Sequence, residues 1–155
     1  RQLGQSKLTL RVQWEYLQHV ILLLRFTHPR LVSFFTFAAV GTTGAAVYIA
    51  SLHATTQIIA TRWQAIALAI WIAMTWNFIW DRKYAFWFAK HKNVMLQYIG
   101  FISICSVPAI ANFYITWSLS ASKSMTLAGL TGAVLGSSIG IAFNYFVNRM
   151  LVFTR

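Results

Sequence analysis

Four apolar segments, each close to the length needed to cross a bilayer, constrain the fold of this chain more than any other feature. They cover residues 34–52, 65–80, 98–117 and 127–147. A helix of about 20 apolar residues spans the roughly 30 Å hydrocarbon core of a membrane. Only 10% of the residues are charged, whereas soluble domains carry about 25%. The sequence therefore predicts an all-α integral membrane protein with four transmembrane helices.

The distribution of basic residues predicts the orientation of these segments. Five of the 13 Lys and Arg residues precede the first segment, four lie between the second and third, and two follow the fourth. The other side carries only Arg62 and Lys123. Because cytosolic loops are enriched in Lys and Arg, we expect cytosolic N- and C-termini. The net charge of +11 indicates membrane lipids as partners and no nucleic acid, since no basic stretch stands apart from the segments.

Residues 8–25, ahead of the first segment, have the periodicity of an amphipathic helix. Apolar residues recur every three or four positions on one face, at Leu10, Trp14, Leu17, Ile21 and Leu24. Polar residues lie on another face, at Arg11, Glu15, Gln18 and Arg25. This pattern is typical of a helix that lies in the membrane interface, and packing on a soluble domain is a compatible alternative. His28 and Pro29 are expected to end the helix.

Two stretches, at residues 77–86 and 144–153, share a motif. Asn, an aromatic residue, Asp or Asn, Arg and a final Phe recur in the same register, 67 residues apart. Each stretch closes the second helix of a two-helix unit. Because each unit crosses the membrane twice, both copies should end on the cytosolic side. The sequence thus predicts two parallel two-helix repeats, related by an axis along the membrane normal.

The paired motif on four short segments resembles the GtrA-like membrane proteins, over residues 30–153. Residues 1–8, Arg-Gln-Leu-Gly-Gln-Ser-Lys-Leu, are similar to the Arg-x-x-Gly-x-Ser-Lys-Leu stretch that closes the catalytic domain of polyprenyl-phosphate glycosyltransferases of the dolichol-phosphate mannose synthase type. Together the resemblances imply that residues 1–29 are the end of a glycosyltransferase-like domain plus the interfacial helix. Residues 30–155 are then a GtrA-like four-helix transmembrane domain in a bacterial or archaeal cell membrane.

No catalytic centre is expected in this chain. Its two acidic residues, Glu15 and Asp81, cannot hold a metal-bound sugar nucleotide between them, and no Asp-x-Asp occurs. The resemblance implies an upstream catalytic domain, of the family 2 glycosyltransferase type, that uses Mg²⁺ or Mn²⁺. No cofactor or metal site is expected in the chain itself, because its Cys, His and carboxylate residues form no ligand pattern. No carboxylate lies within the four segments, in contrast to small proton-driven exporters.

Arg82 and Arg149, the arginines of the two motif copies, should lie where the second and fourth helices reach the cytosolic headgroups. A guanidinium group there can pair bidentately with a phosphate, so both are candidates for binding a polyprenyl or dolichyl phosphate. The alternative is that they are ordinary interfacial anchors. Phe78 and Tyr145 lie one helical turn earlier, where their rings could stack on these arginines.

The other polar motif residues are expected to be structural. Asn77 and Asn144 should form interhelical hydrogen bonds, because a buried amide in lipid needs a partner. Asp81 and Asn148 follow them at i+4, on the same helix face. Asn112 in the third segment is a further candidate for such a bond.

The fourth segment carries a glycine at every fourth position, at Gly132, Gly136 and Gly140. Such a stripe lets another helix backbone approach closely. Tight packing within the bundle is the first interpretation, and a homo-oligomer interface is the second.

Three functions fit these observations. In the first, the chain is the membrane domain of a polyprenyl-phosphate sugar synthase, which transfers mannose or a similar sugar from a nucleotide sugar to dolichyl or polyprenyl phosphate. By resemblance only, Ser6 and Lys7 would then contact a phosphate, and the upstream glycosyltransferase domain would be a partner. In the second, the chain is a flippase for a polyprenyl-phosphate-linked sugar in polysaccharide biosynthesis. In the third, it is a purely structural membrane anchor.

Overall fold

The computed structural model describes residues 9–154, apart from the side chain at position 139. It contains five α-helices: α1 (Leu10–Thr27), α2 (Pro29–Ile58), α3 (Arg62–Trp80), α4 (Val94–Leu119) and α5 (Met125–Val147). Two π-helical segments, Asp81–Ala85 and Asn148–Val152, continue α3 and α5, and a 3₁₀ turn, Trp87–Ala89, follows the first of them. The stretch that contains Ser6 and Lys7 lies outside the described residues.

Three helical stretches are long and apolar enough to cross a membrane: Pro29–Ile58, Arg62–Ala85 and Val94–Leu119. A fourth span is present if Met125–Ser138 and Gly140–Val152, which meet at an angle of 53°, are counted as one. Residues 9–154 are therefore helical throughout apart from their connecting loops, with three candidate membrane spans, or four with the bent pair, where the sequence predicted four.

The second span is longer than the sequence predicted. It was expected to end near residue 80, but the π-helical segment continues it to Ala85. Asp81 therefore lies within a span, where its side chain is only 1% exposed. The candidate span thus includes a carboxylate that the predicted segment, residues 65–80, did not, because hydropathy marks where the apolar residues stop and not where the helix ends.

The helix α1 stands ahead of the bundle. It ends at His28, and Pro29 occupies the first turn of α2, where its missing N–H is not needed. None of the residues of α1 is buried, and Leu10 and Trp14 are 85% and 63% exposed. The apolar side chains that the sequence assigned to one face are thus left uncovered by the described part of the protein.

The bundle is built from two helical hairpins, in which α2 packs mainly on α3 and α4 mainly on α5. The three glycines of the α5 stripe all face α4. A Cβ atom at Gly132 would overlap the Thr116 hydroxyl and the Asn112 carboxamide oxygen, and one at Gly140 would lie 2.9 Å from the Pro108 Cβ. The stripe therefore allows α4 and α5 to approach closely within one chain.

The two motif copies meet in an aromatic cluster at one end of the bundle, here called the motif end. The rings of Phe86 and Phe153, the final residues of the two copies, stack with centroids 4.2 Å apart and planes 6° from parallel. Tyr145 and Phe37 pack around Phe86, with centroids 6.0 Å away in each case. Each hairpin contributes one ring to the stack, so the cluster joins the two hairpins.

The two copies also end their helices with the same backbone geometry. The N–H of Phe86 donates to the carbonyl oxygen of Asp81, and the N–H of Phe153 donates to that of Asn148, both at 2.8 Å. Each bond spans five residues and so closes a π-helical turn. Such turns occur mostly as single insertions in α-helices, often at functional sites.

Candidate functional site

A cavity of about 140 Å³ lies between the two hairpins, with walls from α2, α3, α4, α5 and the first π-helical segment. Much of its wall is formed by apolar and small residues, including Gly41 and Gly44 of α2. Polar side chains of the motif and of its neighbours also line it, namely those of Asn77, Asp81, Asn112, Ser137 and Asn144. Ligand sites commonly combine apolar walls with a few convergent polar groups.

Four buried side-chain oxygen atoms of the motif make no hydrogen bond within the described residues: Oδ1 of Asn77, Asp81, Asn144 and Asn148. Roughly 90% or more of buried polar groups in proteins have a partner, so four such atoms at repeated positions indicate a site. The interhelical hydrogen bonds predicted for Asn77 and Asn144 are not formed by these oxygens. The sequence predicted these residues as members of the motif and favoured a structural role for them.

The carboxamide of Asn148 is held in one orientation. Its Nδ2 donates to the carbonyl oxygen of Asn144 at 2.9 Å and lies 3.6 Å from the Sγ of Cys105. Because a carbonyl oxygen only accepts hydrogen bonds, the amide nitrogen must face it and Oδ1 must point elsewhere. Asn112 differs, since its Oδ1 accepts from Thr116 Oγ1 at 3.0 Å. The interhelical bond predicted for Asn112 is thus replaced by one within α4.

An apolar groove of about 360 Å³ lies between α2 and α5, here called the α2–α5 groove. Small residues of α2, among them Gly41, Thr42 and Ala46, form one of its walls. The groove adjoins the cavity, since both are lined by Phe37, Gly41, Ala45, Ala133, Ser137 and Ile141. An apolar concavity and a polar one therefore meet between α2 and α5.

The guanidinium group of Arg82 is bound within the protein. Its Nε donates to Gln97 Oε1 at 2.8 Å, and its Nη2 donates to the carbonyl oxygens of Lys90 at 2.7 Å and Lys92 at 3.4 Å. Gln97 is buried, and its Nε2 donates to the carbonyl oxygen of Ala89 at 3.0 Å. Arg82 and Gln97 together position the loop between α3 and α4.

Arg149, the matching arginine of the second copy, has fewer partners. Its Nη1 donates to the Tyr145 hydroxyl at 2.9 Å, and that hydroxyl donates to the carbonyl oxygen of Arg30 at 2.9 Å. The guanidinium carbon lies 5.3 Å from the ring centroid of Phe88 and 5.9 Å from that of Tyr145. The predicted contact between Tyr145 and Arg149 is therefore present, while Nε and Nη2 make no hydrogen bond among residues 9–154.

The corresponding contact in the first copy is not formed. Phe78, which the sequence placed on Arg82, packs in the aromatic cluster instead, with centroids 5.1 Å from Tyr98 and 5.6 Å from Phe101. The loop that follows the first copy supplies Arg82 with acceptors, which draws its guanidinium group away from Phe78. Equivalent sequence positions thus have different surroundings.

Three cationic side chains at the motif end lie over aromatic rings and form what is here called the basic rim: Arg25, Lys83 and Arg149. Lys83 Nζ lies 5.1 Å from the centroids of both Trp80 and Tyr84, and Arg25 lies 5.1 Å from that of Trp87. The ring faces attract cations and hold them in place. The role of Arg25 was not predicted, because its partner is distant in the sequence and no local pattern links them.

Comparison with protein-family models matches residues 36–153 to "GtrA/DPMS, transmembrane domain". The matched region covers most of α2, all of α3, α4 and α5, and both motif copies. No curated protein matches the chain. The match agrees with the resemblance drawn from the paired motif, and it contains the cavity, the α2–α5 groove and two of the three residues of the basic rim.

Proposed function

Because this chain belongs to the GtrA/DPMS transmembrane-domain family, which gives it a membrane-associated role in polyprenyl-phosphate sugar metabolism, we propose that it is the membrane domain of a polyprenyl-phosphate sugar synthase. An upstream catalytic domain would transfer mannose or a similar sugar from a nucleotide sugar to the lipid phosphate, with Mg²⁺ or Mn²⁺. The Gly-Gln-Ser-Lys stretch at residues 4–7 supports this connection. The bundle anchors that domain and holds the lipid acceptor.

The proposed placement in the membrane puts the motif end and both termini on the cytosolic side. The excess of Lys and Arg at that end supports it. The helix α1 lies in the interface, with its uncovered apolar residues in the lipid. In this placement the two hairpins correspond to the parallel repeats predicted from the sequence, and the stack of Phe86 on Phe153 joins them.

The observation that carries the proposal is the chain of side-chain contacts that links the α2–α5 groove to Arg149 of the basic rim. Phe37 lines the groove, and its ring centroid lies 5.6 Å from that of Tyr145, whose hydroxyl accepts from Arg149. An isoprenoid chain fits an apolar groove of small residues, and a phosphate fits a guanidinium group with unused donors. The acceptor therefore lies with its tail along α2 and α5 and its phosphate beside Arg149.

The two motif arginines should respond differently to substitution in the full-length enzyme. Arg149→Gln is expected to raise the KM for polyprenyl phosphate roughly tenfold, because one charge-assisted hydrogen bond to the phosphate is lost. The kcat should be nearly unchanged. The measurement is the initial rate of lipid-linked sugar formation at varied polyprenyl phosphate. Arg149→Lys, which keeps the charge, should recover part of the loss.

Arg82→Gln is the matched variant. It should lower the thermal stability, because the loop carbonyls lose their donors, and change the KM less than Arg149→Gln does. If both substitutions change the KM equally, Arg149 has no special role in binding the lipid phosphate, and both arginines are ordinary interfacial anchors. An unchanged rate and KM after deletion of residues 30–155 would exclude presentation of the lipid acceptor as the role of this domain.

A flippase for polyprenyl-phosphate-linked sugar is the second candidate, and one observation favours it. The cavity between the hairpins brings the unpaired carboxamide oxygens of Asn77 and Asn144 inside the bundle, where a sugar hydroxyl could donate to them. The test is reconstitution into vesicles with a fluorescent polyprenyl-phosphate sugar. If the fluorophore is reduced in both leaflets only when the protein is present, the protein moves the lipid across the bilayer. This result, together with a full-length chain that has no synthase activity, would make the flippase the preferred function.

A further inference from the structure

The four unpaired oxygens of the motif have one property in common: all are hydrogen-bond acceptors. Two are on side chains buried almost completely, Asp81 at 1% exposure and Asn148 at 0%. Asn77, Asp81 and Asn144 line the cavity, as does Cys105, and Asn148 Nδ2 lies 3.6 Å from Cys105 Sγ. An occupant that satisfies them must therefore supply donors or positive charge.

A proton on Asp81 does not satisfy the group. A protonated carboxyl has one O–H, which can donate to only one of the three carboxamide oxygens, so at least two remain unpaired. An ionised Asp81 without a partner is also unfavourable, because a buried charge needs compensation in a low-dielectric interior. A bound cation solves both problems: it neutralises the charge of the carboxylate, and it is coordinated by several oxygen atoms at once.

We propose that the cavity binds a monovalent cation through the carboxylate of Asp81 and the carboxamide oxygens of Asn77, Asn144 and Asn148. One carboxylate and three neutral amides carry a single negative charge, so a monovalent cation leaves the site neutral, whereas a divalent one would leave a net positive charge inside the bundle. Oxygen ligands favour a hard ion, and Na⁺ is the first to test. This site was not predicted from the sequence, because the ligand pattern considered there comprised Cys, His and carboxylates.

The proposed site uses equivalent residues of both hairpins: Asn77 corresponds to Asn144, and Asp81 to Asn148. A cation there would join the hairpins at the depth of the cavity. The inference does not depend on the proposed synthase, since it concerns ion binding by this domain alone. It also provides an unusual control, because moving the carboxylate from position 81 to position 148 should preserve the composition of the site.

The test uses the full chain, purified in detergent, with 22Na⁺ binding and the melting temperature in NaCl against choline chloride as readouts. Wild type should bind 22Na⁺ saturably, and saturating Na⁺ should raise its melting temperature by about 5 °C. Asp81→Asn should abolish both effects. The double variant Asp81→Asn/Asn148→Asp should recover most of the binding, which a merely structural role of Asp81 would not produce.

A second pair of variants leaves the carboxylate in place. A Cβ atom at Gly44 would overlap the carboxamide of Asn77, so Gly44→Ala should weaken 22Na⁺ binding roughly tenfold by displacing one ligand. Ile58→Ala is the control on the same helix, because that side chain is 83% exposed and lines neither the cavity nor the α2–α5 groove, and it should bind as wild type does. Competition by Li⁺ and K⁺ then ranks the ions.

Two results would overturn the proposal. One is 22Na⁺ binding and Na⁺ stabilisation that persist in Asp81→Asn, which would locate the ion elsewhere. The other is a wild-type protein that neither binds 22Na⁺ nor is stabilised by any of the three cations. If Asp81→Asn then has a higher melting temperature than wild type, Asp81 is held protonated. 22Na⁺ binding is expressed per mole of folded protein, so that a variant of lower stability can still be compared with wild type.

Discussion

Phe86→Ala is expected to lower the free energy of unfolding by about 3 kcal/mol, through lost packing contacts and the cavity left behind. The Phe86 side chain is fully buried, and its ring lies 4.2 Å from that of Phe153 in the stack that joins the hairpins. Lipid offers little hydrophobic compensation in either direction, so packing dominates the effect. The measurement is reversible unfolding in mixed detergent micelles, followed by tryptophan fluorescence.

Matched variants show whether the stack itself matters. Phe153→Ala should have a similar effect, because its side chain is equally buried, and the double variant should lose less than the sum of the two, by about 0.5–1.5 kcal/mol for the lost ring pair. Phe146→Ala should be nearly neutral, because that side chain is 56% exposed. Strict additivity of Phe86→Ala and Phe153→Ala would contradict direct coupling of the two motif copies.

Gly132→Ala is expected to destabilise the α4–α5 hairpin by about 1–3 kcal/mol, the usual effect of overpacking. The added methyl group would overlap the Thr116 hydroxyl and the Asn112 carboxamide oxygen, and it would lie 3.0 Å from the Asn112 backbone oxygen. A backbone atom cannot rotate away as a side chain can, so the two helices must separate. The same unfolding assay measures the loss.

Gly41→Ala is the control for this variant, because its Cβ atom meets no neighbour within 4 Å. It should be neutral or stabilising by up to about 1 kcal/mol, the difference in helix propensity. The oligomeric state of Gly132→Ala separates the two interpretations of the glycine stripe. A variant that changes from dimer to monomer with no loss of monomer stability would move the stripe from the hairpin to a homo-oligomer interface.

The sequence predicted the helical spans well, because hydropathy is a local property. Each apolar segment lies within a helix, and His28 and Pro29 separate α1 from α2 as expected. The paired motif identified the family, and Asn77 and Asp81 of the first copy line the same cavity as Asn144 of the second. The boundaries were less accurate: the first segment, predicted as residues 34–52, lies within the longer helix Pro29–Ile58, since polar residues near the ends can also be helical.

The partners of the motif residues could not be predicted in the same way. Arg82 and Arg149 occupy equivalent positions in the repeat, but the loop after the first copy supplies acceptors to Arg82 only. Phe78 and Tyr145 are equivalent too, and only Tyr145 contacts its arginine. Internal repetition predicts equal backbone conformations, whereas the contacts of each side chain depend on segments that are not repeated.

The sequence by itself determined the class of protein, the approximate spans, the two motif copies and the family, because transfer of apolar side chains into lipid and helix formation depend on neighbours along the chain. Only the tertiary structure decided that Asp81 is buried, that four motif oxygens have no partner within residues 9–154, and that Arg149 has fewer hydrogen-bond partners than Arg82. These properties arise where the two hairpins meet. They depend on contacts between residues that are far apart in the sequence, which no local pattern specifies.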